Sequence, residues 1–417
     1  MQQSLLAVDF GGIFTKLYES MGFVQGNWQN YVMLLISFIL MYLAVVKKFE
    51  PMLLLPIAFG MFLINIPGAE SVLWGKYPTN EAGEIISTAY DDVQNRGLLW
   101  YLYFGVDKVI YPPLIFLGIG AMTDFGPLIA NPKSMLIGAG AQFGIFVAFI
   151  LATWLGFSVA AAAAIAIIGG ADGPTAILVT SKLASDYIPT IAIAAYSYMA
   201  LIPIIQKPLM RLLTTKKERQ IRMKPLRQVS KLEKILFPII VTLVVGIILP
   251  DSIALLGMLM LGNLFKESGV VDRLSSQAQN GLMNTITIFL GIAVGSKAKG
   301  EIFLSVDTLM IIGLGLVAFM IGTIGGLLVA KVMCKVTKGQ INPLIGSAGV
   351  SAVPMAARIS EDVGREYDPQ NHLLMHAMGP NVAGVIGSAI AAGILLACFG
   401  GYVDGTAVAG VVSSVIA

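Results

Sequence analysis

The chain has 417 residues, of which 56% are hydrophobic and only 12% charged, with a mean hydropathy of +0.81 and a formal net charge of +3. Soluble domains carry about 25% charged residues, so this much apolar surface excludes a water-soluble core and marks an integral membrane protein. The small net charge argues against a nucleic-acid partner, and two cysteines, Cys334 and Cys398, make neither a disulfide framework nor a thiolate metal site.

In chain order, residues 1–30 form a mixed N-terminal segment. Asp9, Lys16 and Glu19 precede the first apolar run, a pattern unlike that of a cleavable signal peptide. Hydrophobic segments follow at 31–46, 51–66, 109–124, 135–156, 158–181 and 188–206, and are read as a first membrane repeat over 31–206 with a charged loop at 67–108. A second repeat over 235–417 holds segments 235–250, 252–266, 281–295, 308–333, 341–357, 373–399 and 402–417. Several of these are shorter than the roughly 20 residues that span a bilayer as a helix. The linker 207–234 carries Lys207, Arg211, Lys216, Lys217, Arg219, Arg222, Lys224, Arg227, Lys231 and Lys234 against Glu218 and Glu233. An excess of Lys and Arg marks the cytoplasmic side, and Lys47 with Lys48 marks it again.

Five hydrophobic segments lie between those two basic loops, so five full crossings would put them on opposite sides. At least one segment must fail to cross: either 51–66, which holds Pro51, Pro56 and Gly60, or the broken segment around Asp172. One such failure, with 31–46 counted, leaves an odd number of crossings in the first half. The chain also repeats itself. Phe116-Leu117-Gly118-Ile119-Gly120 recurs as Phe289-Leu290-Gly291-Ile292-Ala293, and Ile168-Gly169-Gly170-Ala171 as Ile345-Gly346-Ser347-Ala348. Leu54-Leu55-Pro56 to Gly60 likewise has a counterpart in Leu256-Gly257 to Gly262. Similar halves with odd crossing numbers have opposite orientations, which predicts an all-α polytopic fold of two inverted repeats whose broken helices meet near the bilayer midplane.

From Val159 to Thr180 the only charge is Asp172, flanked by Gly169, Gly170, Gly173 and Pro174. A carboxylate at the bilayer centre costs roughly 2.5–3.5 kcal/mol on insertion scales, so it needs a proton, a cation or a basic partner. Glycine and proline beside it unwind the helix and free backbone carbonyls, giving an oxygen-rich pocket for a hard monovalent cation. The competing reading is an acidic turn at the membrane surface. A second break runs from Asn342-Pro343 through Gly346, Ser347 and Ser351 to Pro354 and Arg358, and offers amide and hydroxyl oxygens without charge. A third, Gly379-Pro380-Asn381, supplies Asn381, either as a ligand or as a helix cap.

Gly169-Gly170-Ala171-Asp172-Gly173-Pro174-Thr175, Gly120-Ala121-Met122-Thr123-Asp124-Phe125-Gly126-Pro127, the 342–358 segment and His376-Ala377-Met378-Gly379-Pro380-Asn381 together resemble the β subunit of the biotin-dependent, sodium-pumping decarboxylases. The resemblance covers about residues 109–399 and includes the oxaloacetate, methylmalonyl-CoA, glutaconyl-CoA and malonate enzymes. It implies a multi-pass subunit of a bacterial cytoplasmic membrane that decarboxylates carboxybiotin, consumes a proton and exports Na⁺. It also implies partners: a biotin carrier, a soluble carboxyltransferase α subunit, a small membrane γ or δ subunit, and further copies of the chain. By the same resemblance the essential aspartate falls on Asp172 and the tyrosine on Tyr198, while Asn342, Gly346, Ser351 and Asn381 join them around Na⁺. The arginine falls on Arg358, whose planar fork of donors matches the carboxylate of carboxybiotin; read alone, Arg358 is equally an anchor ahead of Glu361 and Asp362.

Other candidates are weaker. His372 and His376 stand four apart without an HExxH pattern, and read as an interfacial pair. Lys297 and Lys299 lack the Walker spacing and read as mouth charges, with Thr123 and Asp124 at the opposite mouth. No Ala-Met-Lys-Met biotinylation motif occurs, so biotin arrives in trans, and no nucleotide-binding motif is present. The remaining functional alternative is an independent secondary carrier of the same architecture, a Na⁺/H⁺ antiporter or a Na⁺-coupled anion transporter.

Overall fold

A computed structural model of the chain describes residues 10–48, 51–80, 83–403 and 406–407. The fold is all-α: the only ladder longer than one residue among the described residues pairs Tyr402–Val403 with Thr406–Ala407. The first half contains α1 (Phe10–Ser20), α2 (Trp28–Val45), α3 (Pro51–Asn65), α4 (Leu98–Asp107), α5 (Tyr111–Met122), α6 (Ser134–Trp154), α7 (Val159–Ala166), α8 (Gly173–Leu183) and α9 (Ile188–Leu213). The second contains α10 (Lys231–Ile248), α11 (Ile253–Ser268), α12 (Met283–Gly295), α13 (Val306–Val336), α14 (Met355–Tyr367) and α15 (Leu374–Phe399).

Local chemistry sets the ends of these helices. Asn27 with Asn30 closes a reciprocal capping box on α2, and Ser230 with Glu233 does the same for α10. The hydroxyls of Ser158 and Ser305 cap α7 and α13. Gly269, at φ +67°, terminates α11 in the left-handed region.

Helices α2, α6, α13 and α15 are each long and apolar enough to cross a membrane, and α3 is a shorter apolar helix. Among the described residues, counting each of two bent pairs as one span raises the number to as many as six by length and composition: α4 with α5, bent by 69°, and the two halves of α9, bent by 61°. The chain is therefore a multi-pass membrane protein. Helix α4 lies inside the stretch read from sequence as a loop. Its apolar run, Leu98 to Phe104, continues past a turn at Val109 (φ +57°) into α5, so the loop proper ends near Gly97. Of the expected segment 402–417, most lies outside the described residues, as do residues 1–9.

The order of elements recurs. Helices α2, α3, α5 and α6, a break, then α8 and α9 are followed by α10, α11, α12 and α13, a break, then α14 and α15. Packing is reciprocal as well: α3 lies along α12 while α11 lies along α5, and α2 packs on α3 as α10 packs on α11. Both crossed pairs rest on close backbone approach. A Cβ on Gly60 would collide with the carbonyl of Ile292, and one on Gly262 with the carbonyl of Leu117. Small residues at such contacts are what lets helices associate where lipid supplies no hydrophobic drive.

Each break forms a hairpin. The ends of the first, α7 and α8, are brought together by the edge-to-face contact of Phe157 and Tyr187, whose ring centroids are 6.2 Å apart. In the second, a 3₁₀ segment (Pro343–Gly349) leads into α14, and Asn342 and Asn371 at its two ends donate to the same carbonyl, that of Arg219 in the basic linker. Around the first hairpin the alanine-rich α7 is buried from Ala160 to Ala166, in the largest apolar core among the described residues.

Candidate functional site

The tips of the two hairpins touch. The backbone N–H of Ser351 donates to the carbonyl of Gly170 at 3.1 Å, next to Ala171, which adopts φ +55°. That left-handed residue, disfavoured by roughly 1–2 kcal/mol for a side chain with a Cβ, reverses the chain and aims Asp172 into the protein. Asp172 is 5% exposed, buried rather than in a surface turn.

Its carboxylate is surrounded by neutral donors. Oδ1 caps α8 by accepting from the Thr175 N–H at 3.3 Å. Oδ2 accepts from the Ser388 hydroxyl at 2.6 Å and the Ser351 hydroxyl at 3.4 Å, and those two hydroxyls lie 3.0 Å apart. Among the described residues no lysine, arginine or histidine hydrogen-bonds or pairs with it. Three further oxygens nearby in the fold are buried without a hydrogen-bond partner among the described residues: Thr175 Oγ1, Gln142 Oε1 and Asn381 Oδ1. Asn381 spends its amide N–H₂ on the carbonyls of Ala348 and Val350, at 3.0 and 2.8 Å, which grips the chain beside Ser351 and fixes which way the oxygen faces. The Gln142 amide donates to the Gly384 carbonyl at 3.3 Å, and its Oε1 lies 3.8 Å from where a Cβ on Gly170 would stand. Unpaired buried oxygens cost free energy, and a carboxylate among hydroxyl and amide oxygens suits a hard monovalent cation such as Na⁺.

The other sequence candidates occupy different places. Tyr198, at the bend of α9, is buried and donates its hydroxyl to the Ile312 carbonyl of α13, not to Asp172. Asn342 stands at the opposite end of the second hairpin from Ser351, where its amide donates to the carbonyls of Arg219 and Ile221 at 3.0 and 2.9 Å and its oxygen accepts from Leu344 N–H. All of its polar atoms are used. Gly346 packs on α13, where a Cβ would collide with the Gly326 carbonyl. Arg358 lies in the first turn of α14, just beyond the tip; it is exposed, and its guanidinium makes no hydrogen bond or ion pair with a described residue.

His372 faces Glu361 at 3.3 Å, and among the described residues no cluster of three or more His, Cys, Asp or Glu side chains is placed to hold a metal. Lys299 pairs with Glu70, and Lys297 sits over the rings of Trp74 and Tyr103, while Asp124 lies 3.6 Å from Lys234 in the linker. Sequence reasoning passed over Ser388, Thr175 and Gln142. Gln142 carried a signal, since it is the only amide in the apolar run from Met135 to Trp154.

Comparison with known proteins identifies the family. The chain is 58% identical over 388 residues to the methylmalonyl-CoA decarboxylase subunit beta of Propionigenium modestum, covering 92% of this chain and 98% of that one. It is 54% identical to the glutaconyl-CoA decarboxylase subunit beta of Acidaminococcus fermentans, covering 93% and 98%, and 51% identical to the oxaloacetate decarboxylase beta chain 2 of Salmonella typhi, covering 91% and 97%. The family model described as the Na⁺-transporting oxaloacetate decarboxylase beta subunit matches residues 29–399, and the chain belongs to that family of Na⁺-transporting decarboxylase β subunits.

Proposed function

We propose that this subunit decarboxylates carboxybiotin brought by a separate carrier polypeptide, takes up a proton in doing so, and uses the reaction to export Na⁺. The observation that carries the reading is the buried Asp172 carboxylate at the meeting point of two hairpins, which no basic side chain among the described residues neutralises and which hydroxyl and amide oxygens ring. Na⁺ is the cargo, held by Asp172, Ser351 and Ser388 with Asn381, Gln142 and Thr175 completing the oxygen set. In low dielectric a lone carboxylate favours whichever cation neutralises it, so Na⁺ and a proton compete for Asp172. Tyr198, Asn342 and Gly346 act on that site by positioning the helices and the hairpin.

Carboxybiotin is a carbamate that loses CO₂ once its ring nitrogen is protonated. Arg358, exposed and uncommitted at the hairpin tip, receives the carboxylate through its fixed fork of donors. On this reading the two halves are inverted repeats whose hairpins enter from opposite faces and meet in the middle; the anchoring of the first hairpin's open end by Tyr187 with Asp307, and of the second's by Arg219 in the basic linker, supports it. The linker 207–234 lies in the cytoplasm of a bacterial cell, where the biotin carrier, the carboxyltransferase α subunit, the small γ or δ subunit and further copies of the chain assemble. Alternating exposure of the Asp172 site to the two faces converts the competition into transport.

The test uses purified protein in proteoliposomes with free carboxybiotin. CO₂ release is expected to rise with Na⁺, and Asp172→Ala to abolish that stimulation. Undiminished Na⁺-stimulated release from the variant would remove the basis of the proposal.

A further inference from the structure

A cavity of about 760 Å³ lies between the basic linker, the short helix Gly126–Ala130 and the residues that follow the second hairpin. Its size falls within the roughly 300–1,000 Å³ of small-molecule sites. Arg222, Arg227 and Lys234 stand on its wall, each held by a carboxylate of the chain (Asp368, Glu233, and Asp124 with Glu267), while Met223 and Met375 give it apolar surface. Two lining side chains hold buried atoms without a hydrogen-bond partner among the described residues: Asn371 Oδ1 and His376 Nδ1. Asn371 is 1% exposed, and its amide nitrogen is committed to the Arg219 carbonyl at 2.9 Å, so the oxygen is a fixed acceptor awaiting a donor.

We propose that this cavity is the receiving site for the carboxylated cyclic urea at the end of a carrier arm. The proposal rests on the carboxybiotin reading above and places the first docking step away from Arg358. A carboxylated ureido ring presents one anionic group, one remaining N–H and an aliphatic stem. Arg222, Arg227 and Lys234 take the first by exchanging a carboxylate of the chain for that of the ligand, the Asn371 oxygen accepts from the second, and the two methionines pack on the third.

The wall is mechanically tied to the ion site. Glu361 of α14 accepts from the backbone N–H groups of Leu373 and Leu374 and faces His372, while Arg222 pairs with Asp368 at 2.6 Å. Asn371 shares the Arg219 carbonyl with Asn342, and the two residues bracket the hairpin whose tip carries Ser351. A ligand pulling on this wall therefore pulls on the second hairpin.

The experiment measures binding of tritiated biocytin to the purified protein in neutral detergent, and the KM for free carboxybiotin in the same preparations. Met375→Trp fills the cavity, and His376→Ala removes a polar wall without adding bulk. At least tenfold weaker biocytin binding in Met375→Trp, several-fold weaker binding in His376→Ala, and a matching rise in KM are expected. Wild-type affinity in both variants, with CO₂ release intact, would overturn the site and leave the decarboxylation reading standing. Biocytin binding that follows this pattern in a protein releasing no CO₂ supports the site and sinks that reading instead. Absence of biocytin binding in every preparation, together with phosphatidylglycerol binding to the wild type that both variants lose, identifies a lipid headgroup as the occupant and overturns the proposal.

Discussion

Ser351 and Gly170 are joined by a backbone hydrogen bond of 3.1 Å that links the tips of two hairpins from opposite halves of the chain. The bond exists because both segments are broken there, leaving a donor and an acceptor unused by any helix. Its consequence is positional: Ser351 and the Asp172 two residues beyond Gly170 are held side by side, whatever their side chains do. Ser388 arrives from α15 as the third wall. The proposed ion site is thus built on the contact between two hairpins, the place that alternating access requires of it.

Ser388 makes the short contact with Asp172, at 2.6 Å, and Ser351 the long one, at 3.4 Å. Hydrogen bonds to charged groups contribute about 1.5–3 kcal/mol, and about 1.4 kcal/mol is a tenfold change in affinity. Ser388→Ala is therefore expected to raise the Na⁺ concentration for half-maximal CO₂ release by about tenfold or more, and Ser351→Ala by less. A Na⁺ titration that ranks the two variants in the other order would contradict the geometry.

Gln142→Leu keeps the shape of the side chain and deletes its unpartnered oxygen. The expected outcome is weaker Na⁺ activation with a modest loss of stability, because the Gly384 carbonyl loses its donor. Unaltered Na⁺ dependence would take Gln142 out of the site.

Asn342 and Gly346 separate positioning from ligation. Asn342→Ala leaves the Arg219 and Ile221 carbonyls without that donor, a loss of about 1–3 kcal/mol for buried groups, and should lower the melting temperature and the turnover rate together. Gly346→Ala forces a methyl against the Gly326 carbonyl, and overpacking of this kind costs about 1–3 kcal/mol. In both variants the Na⁺ affinity of the protein that remains folded should change less than in Ser388→Ala. A Na⁺ affinity loss as large as that of Ser388→Ala, at unchanged melting temperature, would make either residue a ligand instead.

Much of this was legible from one-dimensional signals. A lone charge among glycines and proline announced Asp172, repeated Phe-Leu-Gly and Ile-Gly-x-Ala strings announced the recurring helix order, and the second break announced Ser351. What stayed hidden depends on distance across the fold. Ser388 looked like one more small residue on α15, and only its 2.6 Å contact sets it apart. Asn342 looked like an ion ligand because asparagine opens the break, yet its neighbours are linker carbonyls more than a hundred residues earlier in the chain. The loop boundary at 67–108 was misjudged because charges at Asp107 and Lys108 outweighed the apolar run before them.

Lys297 gives a prediction about pH at a position outside the spanning helices. Its ammonium lies 4.2 Å from the ring centroid of Trp74 and 4.5 Å from that of Tyr103. Burial, and then the neighbouring Lys299, push its pKa down to about 8. The ring faces favour the charged form and oppose this shift in part, but burial dominates. An unfolded lysine titrates near about 10.4, so between about pH 8 and pH 10 the unfolded chain binds the extra proton and wild-type stability rises with pH. Below that window the folded protein carries the full cost of the buried charge. Lys297→Met, which carries none, should therefore melt above the wild type at pH 7, with the gap narrowing as pH rises and closing near pH 10. Thermal melts in detergent across that range check the sign. A gap that stays constant, or that opens with rising pH, would mean that the aromatic faces hold the lysine charged throughout.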